Sequence, residues 1–262
     1  MRERNRVAGT SGRDVVMDQL EGRNVVLEAL RRNKRRVVAI HLDERAQPDE
    51  KLDEIARLAK ERGVRLSKVP RQTLDRRSET GTHNGIIADA EPLPEHSVTS
   101  LVRELEARPG PFEPFLLAVD EAQYEHNVGA ILRSSLGGGV DGVIVPVRRG
   151  KGLSPVVQRV AMGGAEEVPL VREGLSSALA TLGRAGFRVV GADQGGRPYW
   201  EVDLLGPLVV VLGGEDKGLT PAILKRCDEV ATIPLRAGLD SLNVSVAAGV
   251  LVFERLRQKS RS

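Results

Sequence analysis

The chain has 262 residues, of which 40% are hydrophobic and 29% charged, a composition typical of a globular protein. A single cysteine excludes an internal disulfide, and the four scattered histidines lack zinc-ligand spacing, so we expect a protein that works without a metal. No apolar run approaches the roughly 20 residues of a membrane span and no signal segment stands near the N-terminus, so we expect a cytoplasmic protein.

The first 92 residues contain two different kinds of sequence. Residues 1–20 are rich in arginine and lack an apolar period, which predicts a flexible arm. Residues 21–92 alternate helix and strand signals and predict a small α/β domain. Its predicted helices lie at 24–30, at 49–62 and from residue 74, and its predicted strands at 37–42, 64–66 and 85–88.

A second, larger domain follows a proline-rich linker. Residues 93–113 form the predicted linker, with one short amphipathic helix, and residues 114–262 form the second domain. Apolar runs such as 207–212 are typical of parallel strands covered on both faces, so the fold class is a Rossmann-like α/β domain. Its predicted strands are 115–119, 142–147, 167–171, 187–192, 208–212 and 229–233, and its predicted helices 128–136, 154–162, 175–185, 220–226 and 243–257.

Basic residues are clustered although the net charge is only +3. One basic cluster alone is typical of a solvated surface, but several clusters in one chain are the electrostatic footprint of a polyanion and favour an RNA partner. Aromatic residues make up 3% of the chain, so we expect phosphate contacts and RNA shape to matter more than base stacking. The clusters are 31–36, 148–159 and the C-terminal residues Arg255, Arg257, Lys259 and Arg261.

Two glycine-rich turns follow predicted strands, at 191–196 and 213–218. Neither contains the G-x-G-x-x-G of a dinucleotide site or the G-x-x-x-x-G-K-[ST] of a P-loop. The sequence therefore disfavours a nicotinamide or nucleoside triphosphate cofactor.

Three segments carry the strongest functional signal. Residues 119–135 read Val-Asp-Glu-Ala-Gln-Tyr-Glu-His-Asn-Val-Gly-Ala-Ile-Leu-Arg-Ser-Ser, and residues 209–219 read Val-Val-Val-Leu-Gly-Gly-Glu-Asp-Lys-Gly-Leu. Residues 233–249 read Ile-Pro-Leu-Arg-Ala-Gly-Leu-Asp-Ser-Leu-Asn-Val-Ser-Val-Ala-Ala-Gly. In this order they resemble the three motifs of the SpoU (TrmH/RlmB) family of RNA ribose 2′-O-methyltransferases, within the SPOUT superfamily. Residues 20–92 resemble the small RNA-binding domain of the same family.

The resemblance implies a fold, a cofactor and a set of site residues. It implies a trefoil knot in the C-terminal domain and S-adenosylmethionine as cofactor. The implied catalytic residues are Asn127, Arg133, Glu215, Ser241 and Asn243, and the implied cofactor-binding residues are Gly213, Ile233, Leu235 and Leu242. Together with the charge clusters, it favours RNA contacts from Arg35, Arg36, Arg71, His83, Arg148, Arg149 and Lys151.

Arg133 holds the position that the family pattern assigns to the reacting ribose. A guanidinium stays protonated near neutral pH, so we expect it to clamp an RNA phosphate and polarise the 2′-hydroxyl, and a true base role would need special surroundings. Asn127 is expected to cap the helix that carries Arg133. We expect Glu215 to orient Arg133 or the nearby backbone, and Ser241 and Asn243 to hold the ribose and the adjoining loops.

Two positions depart from the family pattern. Tyr124-Glu125 stands where relatives commonly carry Asp-Pro, and Thr82-His83-Asn84-Gly85 stands where they often carry Arg-His-Gln-Gly.

The two-domain layout favours 23S ribosomal RNA as substrate. A tRNA methyltransferase, an antibiotic-resistance rRNA methyltransferase and a non-catalytic RNA-binding assembly factor are the alternatives. An apolar surface on the last helix, from Leu251, Val252, Phe253 and Leu256, predicts a homodimer.

Overall fold

The computed structural model describes residues 6–8, 14–120, 124–147, 152–214, 218–236 and 238–261. Two compact units divide the chain. The N-terminal unit comprises the residues up to Pro94 together with Ser154–Glu167, and the C-terminal unit comprises Glu95–Leu153 and the residues from Val168 onward.

The N-terminal unit is built on a four-stranded sheet in the order β3-β6-β4-β5, in which only the β4–β5 pair is parallel. A separate antiparallel pair, β1 and β2, precedes it. The strands are β1 (Arg6–Ala8), β2 (Asp14–Val16), β3 (Asp18–Glu21), β4 (Val37–Asp43), β5 (Arg65–Val69) and β6 (Ile86–Ala90). The helices of this unit are α1 (Arg23–Arg32), α2 (Glu50–Glu61), α3 (Arg71–Arg77), α6 (Pro155–Ala161) and α7 (Gly164–Glu167).

Helix α2 shows why the sequence folds locally as predicted. The Asp49 side chain accepts the Leu52 backbone N–H at 2.8 Å and so caps the helix. Leu52, Ile55 and Leu58 recur at helical spacing, and all three are buried against the sheet and α1.

The predicted flexible arm is wrong at its C-terminal end. Residues 18–21 form β3, which pairs antiparallel with β6, and the Leu20 side chain is fully buried. The arm prediction failed because Leu20 is the only large apolar residue in this strand, too little to show a period of two.

The C-terminal unit contains six parallel strands in the order β12-β10-β11-β7-β8-β9, which confirms the predicted α/β class. The strands are β7 (Phe115–Val119), β8 (Gly142–Val145), β9 (Leu170–Arg172), β10 (Arg188–Pro198), β11 (Leu208–Leu212) and β12 (Glu229–Thr232). The helices are α4 (Val98–Glu106), α5 (Glu125–Gly138), α8 (Leu175–Arg184), α9 (Pro221–Leu224) and α10 (Val244–Lys259). No described helix is long and apolar enough to cross a membrane.

The predicted linker is more than a connection. Its helix α4 buries Val98, Leu101, Val102 and Leu105 in the same apolar core as strands β7 and β11. A Ser97 capping box begins this helix. The helix was predicted, but its membership of the core was not.

Helices α5 and α10 pack closely because small residues lie where they cross. A side chain at Gly138 would overlap the Val252 side chain, and one at Gly137 would contact the Phe253 ring. The close packing brings the start of α10 to the start of α5, which matters for the site below.

Candidate active site

The strand order places the three motifs at one edge of the sheet. From β7 the chain moves outward through β8 to β9, and it then returns to the other side of β7 for β10, β11 and β12. The direction therefore reverses between β7 and β11. Ligands of open parallel sheets bind outside the carboxyl ends of the strands at such a switch point. The motifs follow the carboxyl ends of β7, β11 and β12.

Backbone contacts tie the first motif to the second. The Asp120 N–H, just after β7, donates to the Leu212 carbonyl at 2.9 Å. The Asp120 carboxylate in turn accepts the Thr220 N–H at 3.4 Å. The segments that leave β7 and β11 are thus joined beside the switch point.

A pair of asparagines ties the first motif to the third. Asn243 Nδ2 donates to Asn127 Oδ1 at 3.1 Å. Asn243 is also the N-cap of α10, because its Oδ1 accepts the Ser245 N–H at 3.0 Å. One neutral side chain therefore begins α10 and joins it to α5.

The predicted role of Asn127 as a helix cap is wrong. Helix α5 begins at Glu125, Tyr124 occupies the N-cap position without a side-chain hydrogen bond, and Asn127 lies in the first turn. The helix begins three residues earlier than predicted, because the last non-helical residue is Tyr124 and not Asn127. The Asn127 side chain accepts a hydrogen bond from Asn243 instead of capping the helix.

Arg133 lies on α5, about 9 Å along the helix axis from Asn127, from the rise of 1.5 Å per residue. Its side chain is exposed, and no described acidic group lies within ion-pair distance. An exposed guanidinium offers five N–H donors to an anion, which suits the predicted phosphate clamp better than a base.

The second motif forms a narrow turn at the end of β11. Gly214 and Gly218 pair through two backbone hydrogen bonds, each 3.2 Å long. A Cβ at Gly213 would overlap the backbone of Gly218, so only glycine fits at that position. Glu215 lies outside the described residues.

The third motif carries three aliphatic side chains. The side chains of Ile233, Leu235 and Leu242 are each partly buried, just after β12 and just before α10. Ser241, directly before Leu242, is exposed. Half-buried aliphatic groups beside backbone donors and acceptors form a neutral lining suited to a flat, uncharged ring.

Two residues that the sequence analysis did not select also reach this edge. The Asp193 carboxylate accepts the Leu219 N–H at 2.8 Å, and the Gln194 side-chain amide donates to the Asp240 carbonyl. The only signal in the sequence was the glycine-rich turn at 191–196, whose pattern disfavours a nucleotide cofactor.

The RNA contacts predicted in the N-terminal unit fall into two groups. Arg36 and Arg71 are exposed, with side-chain exposures of 71% and 63%. The guanidinium of Arg35 is wholly buried and paired with Asp18 and Glu166, so its predicted RNA contact is wrong. The run of basic residues in the sequence did not show which one points inward.

His83 is a second correction. It is 2% exposed, its Nδ1 accepts the Gly85 N–H at 3.1 Å, and its Nε2 lies 2.9 Å from Asp75 Oδ1. Both ring nitrogens are therefore used to fix the turn at Asn84-Gly85, where both residues have positive φ. The predicted RNA contacts Arg148, Arg149 and Lys151 lie outside the described residues.

Arg71 borders a polar cleft of about 810 Å³ in the N-terminal unit. Cations and side-chain amides line it beside three carboxylates. The lining residues are Arg23, Asn24, Asp43, Arg45, Ala46, Gln47, Asp49, Glu50, Lys51, Arg71, Asn84 and Gly85. Such a mixture fits the phosphates and base edges of RNA better than an apolar ligand.

Glu21 organises the loop that leads to this turn. Its buried carboxylate accepts from Ser78 Oγ at 2.7 Å, from the Glu79 N–H at 2.6 Å and from Thr80 Oγ1. Burial opposes ionisation, but the hydrogen bonds together hold the pKa of the Glu21 carboxyl below its usual value.

Among the described residues, no group of three His, Cys, Asp or Glu side chains could hold a metal ion. The single cysteine, Cys227, is half-buried, and burial followed by the nearby charges of Asp228 and Asp193 raises the pKa of its thiol to about 11. A thiol with that pKa is a poor nucleophile at neutral pH.

Comparison with known proteins agrees with the geometry of both units. The profile of the SpoU rRNA Methylase family matches residues 114–253, and the RNA 2′-O ribose methyltransferase substrate-binding profile matches residues 19–96. An open parallel sheet with its site at the switch point is the architecture of a ligand-binding α/β enzyme. The chain belongs to the SpoU rRNA methylase family.

Curated relatives and solved structures extend over most of the chain. A protein described as an uncharacterized tRNA/rRNA methyltransferase from Mycolicibacterium smegmatis is 37% identical over 91% of this chain and 76% of its own length. The 23S rRNA (guanosine-2′-O-)-methyltransferase RlmB of Shewanella oneidensis is 35% identical over 92% of this chain and 98% of its own length.

Among solved structures, an RNA 2′-O ribose methyltransferase has a TM-score of 0.76 at 27% identity, covering 92% of this chain and 88% of its own. AviRb of Streptomyces viridochromogenes, a SpoU methyltransferase crystallised with AdoMet, has a TM-score of 0.76 at 21% identity, covering 93% of this chain and 91% of its own. The expected family and fold are thus confirmed. The trefoil knot stays a prediction.

Proposed function

We propose that the protein is an S-adenosylmethionine-dependent RNA ribose 2′-O-methyltransferase that acts on 23S ribosomal RNA in the cytoplasm. The observation that carries the proposal is the hydrogen bond between Asn243 and Asn127, which joins the third motif to the first at the switch point of the sheet. The curated relative from Shewanella oneidensis, which this chain matches over nearly its whole length, supports the ribosomal substrate.

The cofactor fits the chemistry of the lining. Gly213 lets the backbone of Gly218 pack directly against it, which keeps the turn narrow. The partly buried Ile233, Leu235 and Leu242 offer apolar surface without a charge. S-adenosylmethionine, when bound, supplies the methyl group on its sulfonium. AviRb, which shares the fold, binds the same cofactor.

The chain's own residues hold and orient the other reactant. The exposed Arg133 guanidinium binds the RNA phosphate beside the reacting ribose and polarises the 2′-hydroxyl. Asn127 and Asn243 fix the loops between which the hydroxyl must lie, and Ser241 contacts the ribose. With the cofactor bound, the 2′-oxygen would take the methyl group, S-adenosylhomocysteine would leave and the hydroxyl proton would pass to solvent. The residues that hold the hydroxyl in place would contribute to the rate by orienting it. We propose Glu215 as the group that orients Arg133.

The test is methyl transfer by Arg133→Ala in single turnover, with RNA and cofactor both saturating. Losing a charge-assisted contact to the reacting group costs about 2–4 kcal/mol, so the rate should fall roughly 30- to 1000-fold. Arg133→Lys should recover little, because an ammonium cannot form a planar two-pronged contact. Cofactor affinity, measured by calorimetry, should stay unchanged.

Arg103→Ala is the matched control, since Arg103 is also an exposed arginine of the C-terminal unit, on α4 and away from the three motifs. Normal transfer by Arg133→Ala would refute its role. A collapse of cofactor binding in that variant would place Arg133 in the cofactor pocket instead. Mapping of 2′-O-methyl groups in RNA from a strain that lacks the gene would separate rRNA from tRNA targets and identify an assembly factor that methylates neither.

RNA affinity is assigned to the N-terminal unit, through the exposed Arg36 and Arg71 and the cleft that Arg71 borders. If each contacts one phosphate, Arg36→Ala and Arg71→Ala should each lower the slope of log K against log salt by about 0.7–0.9. An unchanged slope would exclude the residue from the contact. Point variants of the whole chain are the right reagents, because removing residues 1–94 would uncover Ser154–Glu167.

A homodimer is the proposed assembly. Phe253 and Leu256 are 49% and 43% exposed on α10, and Val246 on the same helix is 51% exposed. Leu251 and Val252, which were expected on this surface, are buried in the C-terminal unit instead. Large apolar side chains grouped on one helix favour burial against a second copy. Sedimentation as a monomer at micromolar concentration would contradict the assembly.

A further inference from the structure

We infer that Asp193 and Gln194 are positioning residues that hold the two cofactor loops in register with each other. The inference rests on the proposed function, because it concerns the pocket in which S-adenosylmethionine would bind. Neither residue belongs to the three motifs. Both lie on β10, which stands between β11 and β12 in the sheet. The second motif follows β11, and the third follows β12.

The backbone of β10 leaves the sheet where these residues stand. Ala231 of β12 pairs first with Ala192 and then with Arg197, so residues 193–196 form an excursion between the two pairings. Glycines make it possible: Gly195 has φ +77°, and a Cβ at Gly196 would overlap the carbonyl of β12 that lies against it.

Asp193 holds the second motif. Its Oδ2 accepts the Leu219 N–H at 2.8 Å, and a Cβ at Gly218 would lie only 2.9 Å from the same oxygen. Gly218 has φ +64° and closes the turn with Gly214. The carboxylate therefore fixes the C-terminal end of the turn whose other end is Gly213. Leu219 is buried, so its N–H would otherwise lose its partner without gaining water.

Gln194 holds the third motif. Its Nε2 donates to the Asp240 carbonyl, three residues before the helix cap Asn243. The Asp193 carboxylate also accepts the Gln194 N–H at 2.6 Å, so a hydrogen bond joins the two adjacent residues. Adjacent residues thus reach in two directions, and both cofactor loops are anchored to one point of the sheet.

The anchors are opposite in hydrogen-bond polarity, and this makes the inference testable. Position 193 must accept and position 194 must donate. Asp193→Asn keeps only one of the two acceptor oxygens and should lose part of the affinity for S-adenosylmethionine, whereas Asp193→Ala keeps neither and should bind it about tenfold more weakly. Gln194→Glu sets a carboxylate against a carbonyl and should be no better than Gln194→Ala, which should lose about fivefold.

The experiment is calorimetry of the full-length variants with S-adenosylmethionine, followed by steady-state methyl transfer. The KM for the cofactor should rise by the same factor as the Kd while kcat stays constant. The Tm of Asp193→Ala without cofactor should fall by a few degrees, because the buried Leu219 N–H loses its partner. Gln72→Ala, which truncates an exposed glutamine of the N-terminal unit, is the matched control.

Wild-type affinity in Asp193→Ala and Gln194→Ala would overturn the inference and leave the proposed function intact. Equal losses in Asp193→Asn and Asp193→Ala would also overturn it, because the acceptor would then be irrelevant. A wild-type protein that neither binds S-adenosylmethionine nor methylates RNA would instead refute the proposed function.

Discussion

Replacing Arg35 by methionine should destabilise the N-terminal unit strongly. The guanidinium is wholly buried and donates to Asp18 at 2.8 Å, to Gln158 at 2.5 Å and to Glu166. Two of these partners come from Ser154–Glu167, a segment that is distant in sequence. One side chain therefore fastens α6 and α7 to the sheet that begins with β3.

The magnitude follows from what the substitution leaves behind. Methionine fills the volume but cannot pair with Glu166, whose side chain is 3% exposed, and Glu166 Oε2 already has no hydrogen-bond partner among the described residues. Asp18 is 29% exposed, so water relieves part of its loss. Breaking a buried ion pair from one side costs about 3–5 kcal/mol, and the lower end applies here, which lowers the Tm by about 10 °C.

Thermal unfolding followed by far-ultraviolet circular dichroism measures the effect. Tryptophan and tyrosine fluorescence would miss it, because Tyr124, Tyr199 and Trp200 all lie in the C-terminal unit. Arg36→Met is the matched control. The Arg36 side chain is adjacent in sequence and 71% exposed, so its replacement should change the free energy of unfolding by no more than about 0.5 kcal/mol.

A second variant tests the cause of the loss. Arg35→Met combined with Glu166→Met replaces the ion pair by apolar groups and should be more stable than Arg35→Met alone, because no carboxylate is left buried without a partner. Equal Tm values for wild type and Arg35→Met would refute the reasoning. A double variant less stable than the single one would show that packing, not charge, is the cause.

Three further changes have definite expected results. Because the pKa of Glu21 is lowered in the folded protein, its carboxylate contributes full stability above about pH 5, and this contribution is lost as the pH falls through the folded-state pKa. Glu21→Gln should therefore be less stable than wild type at pH 7. The difference in free energy of unfolding between the two proteins should disappear in acid. Gly138→Ala should cost about 1–3 kcal/mol in urea unfolding because the new methyl overlaps Val252, whereas Gly183→Ala, in an open part of a helix, should stabilise by about 0.5–1 kcal/mol. Gly213→Ala should weaken S-adenosylmethionine binding in calorimetry, because its turn must shift; unchanged affinity would exclude that turn from the pocket.

The regular elements were predictable because local signals agreed with burial. The bounds of β7 and β11 match the sequence prediction, since each strand is a continuous apolar run buried on both faces. The N-cap at Asn243 was also predictable, because an asparagine stands directly before an apolar run. In contrast, α7 was missed: four residues are too few to show a helical period.

Charge was the least predictable property, because a run of like residues does not show which side chain turns inward. Arg255 was expected in a basic RNA-facing tail, yet it is 5% exposed, lies 4.6 Å from the centre of the Phe115 ring and donates to the Gly206 carbonyl at 2.8 Å. Arg35 is similar. In both cases the deciding partners are distant in sequence, so only the fold reveals them.

The same reasoning explains why the motifs marked the site and missed its anchors. Asn127 and Asn243 belong to two of the motifs that the sequence showed, and their hydrogen bond joins α5 to α10, which pack against each other. Asp193 and Gln194 are ordinary polar residues in a glycine-rich turn, and their importance depends on a β10 that lies between β11 and β12 rather than at the edge of the sheet. A strand between two others can contact both of the loops that follow them, so the strand order lets Asp193 and Gln194 bond to the second and the third motif segments.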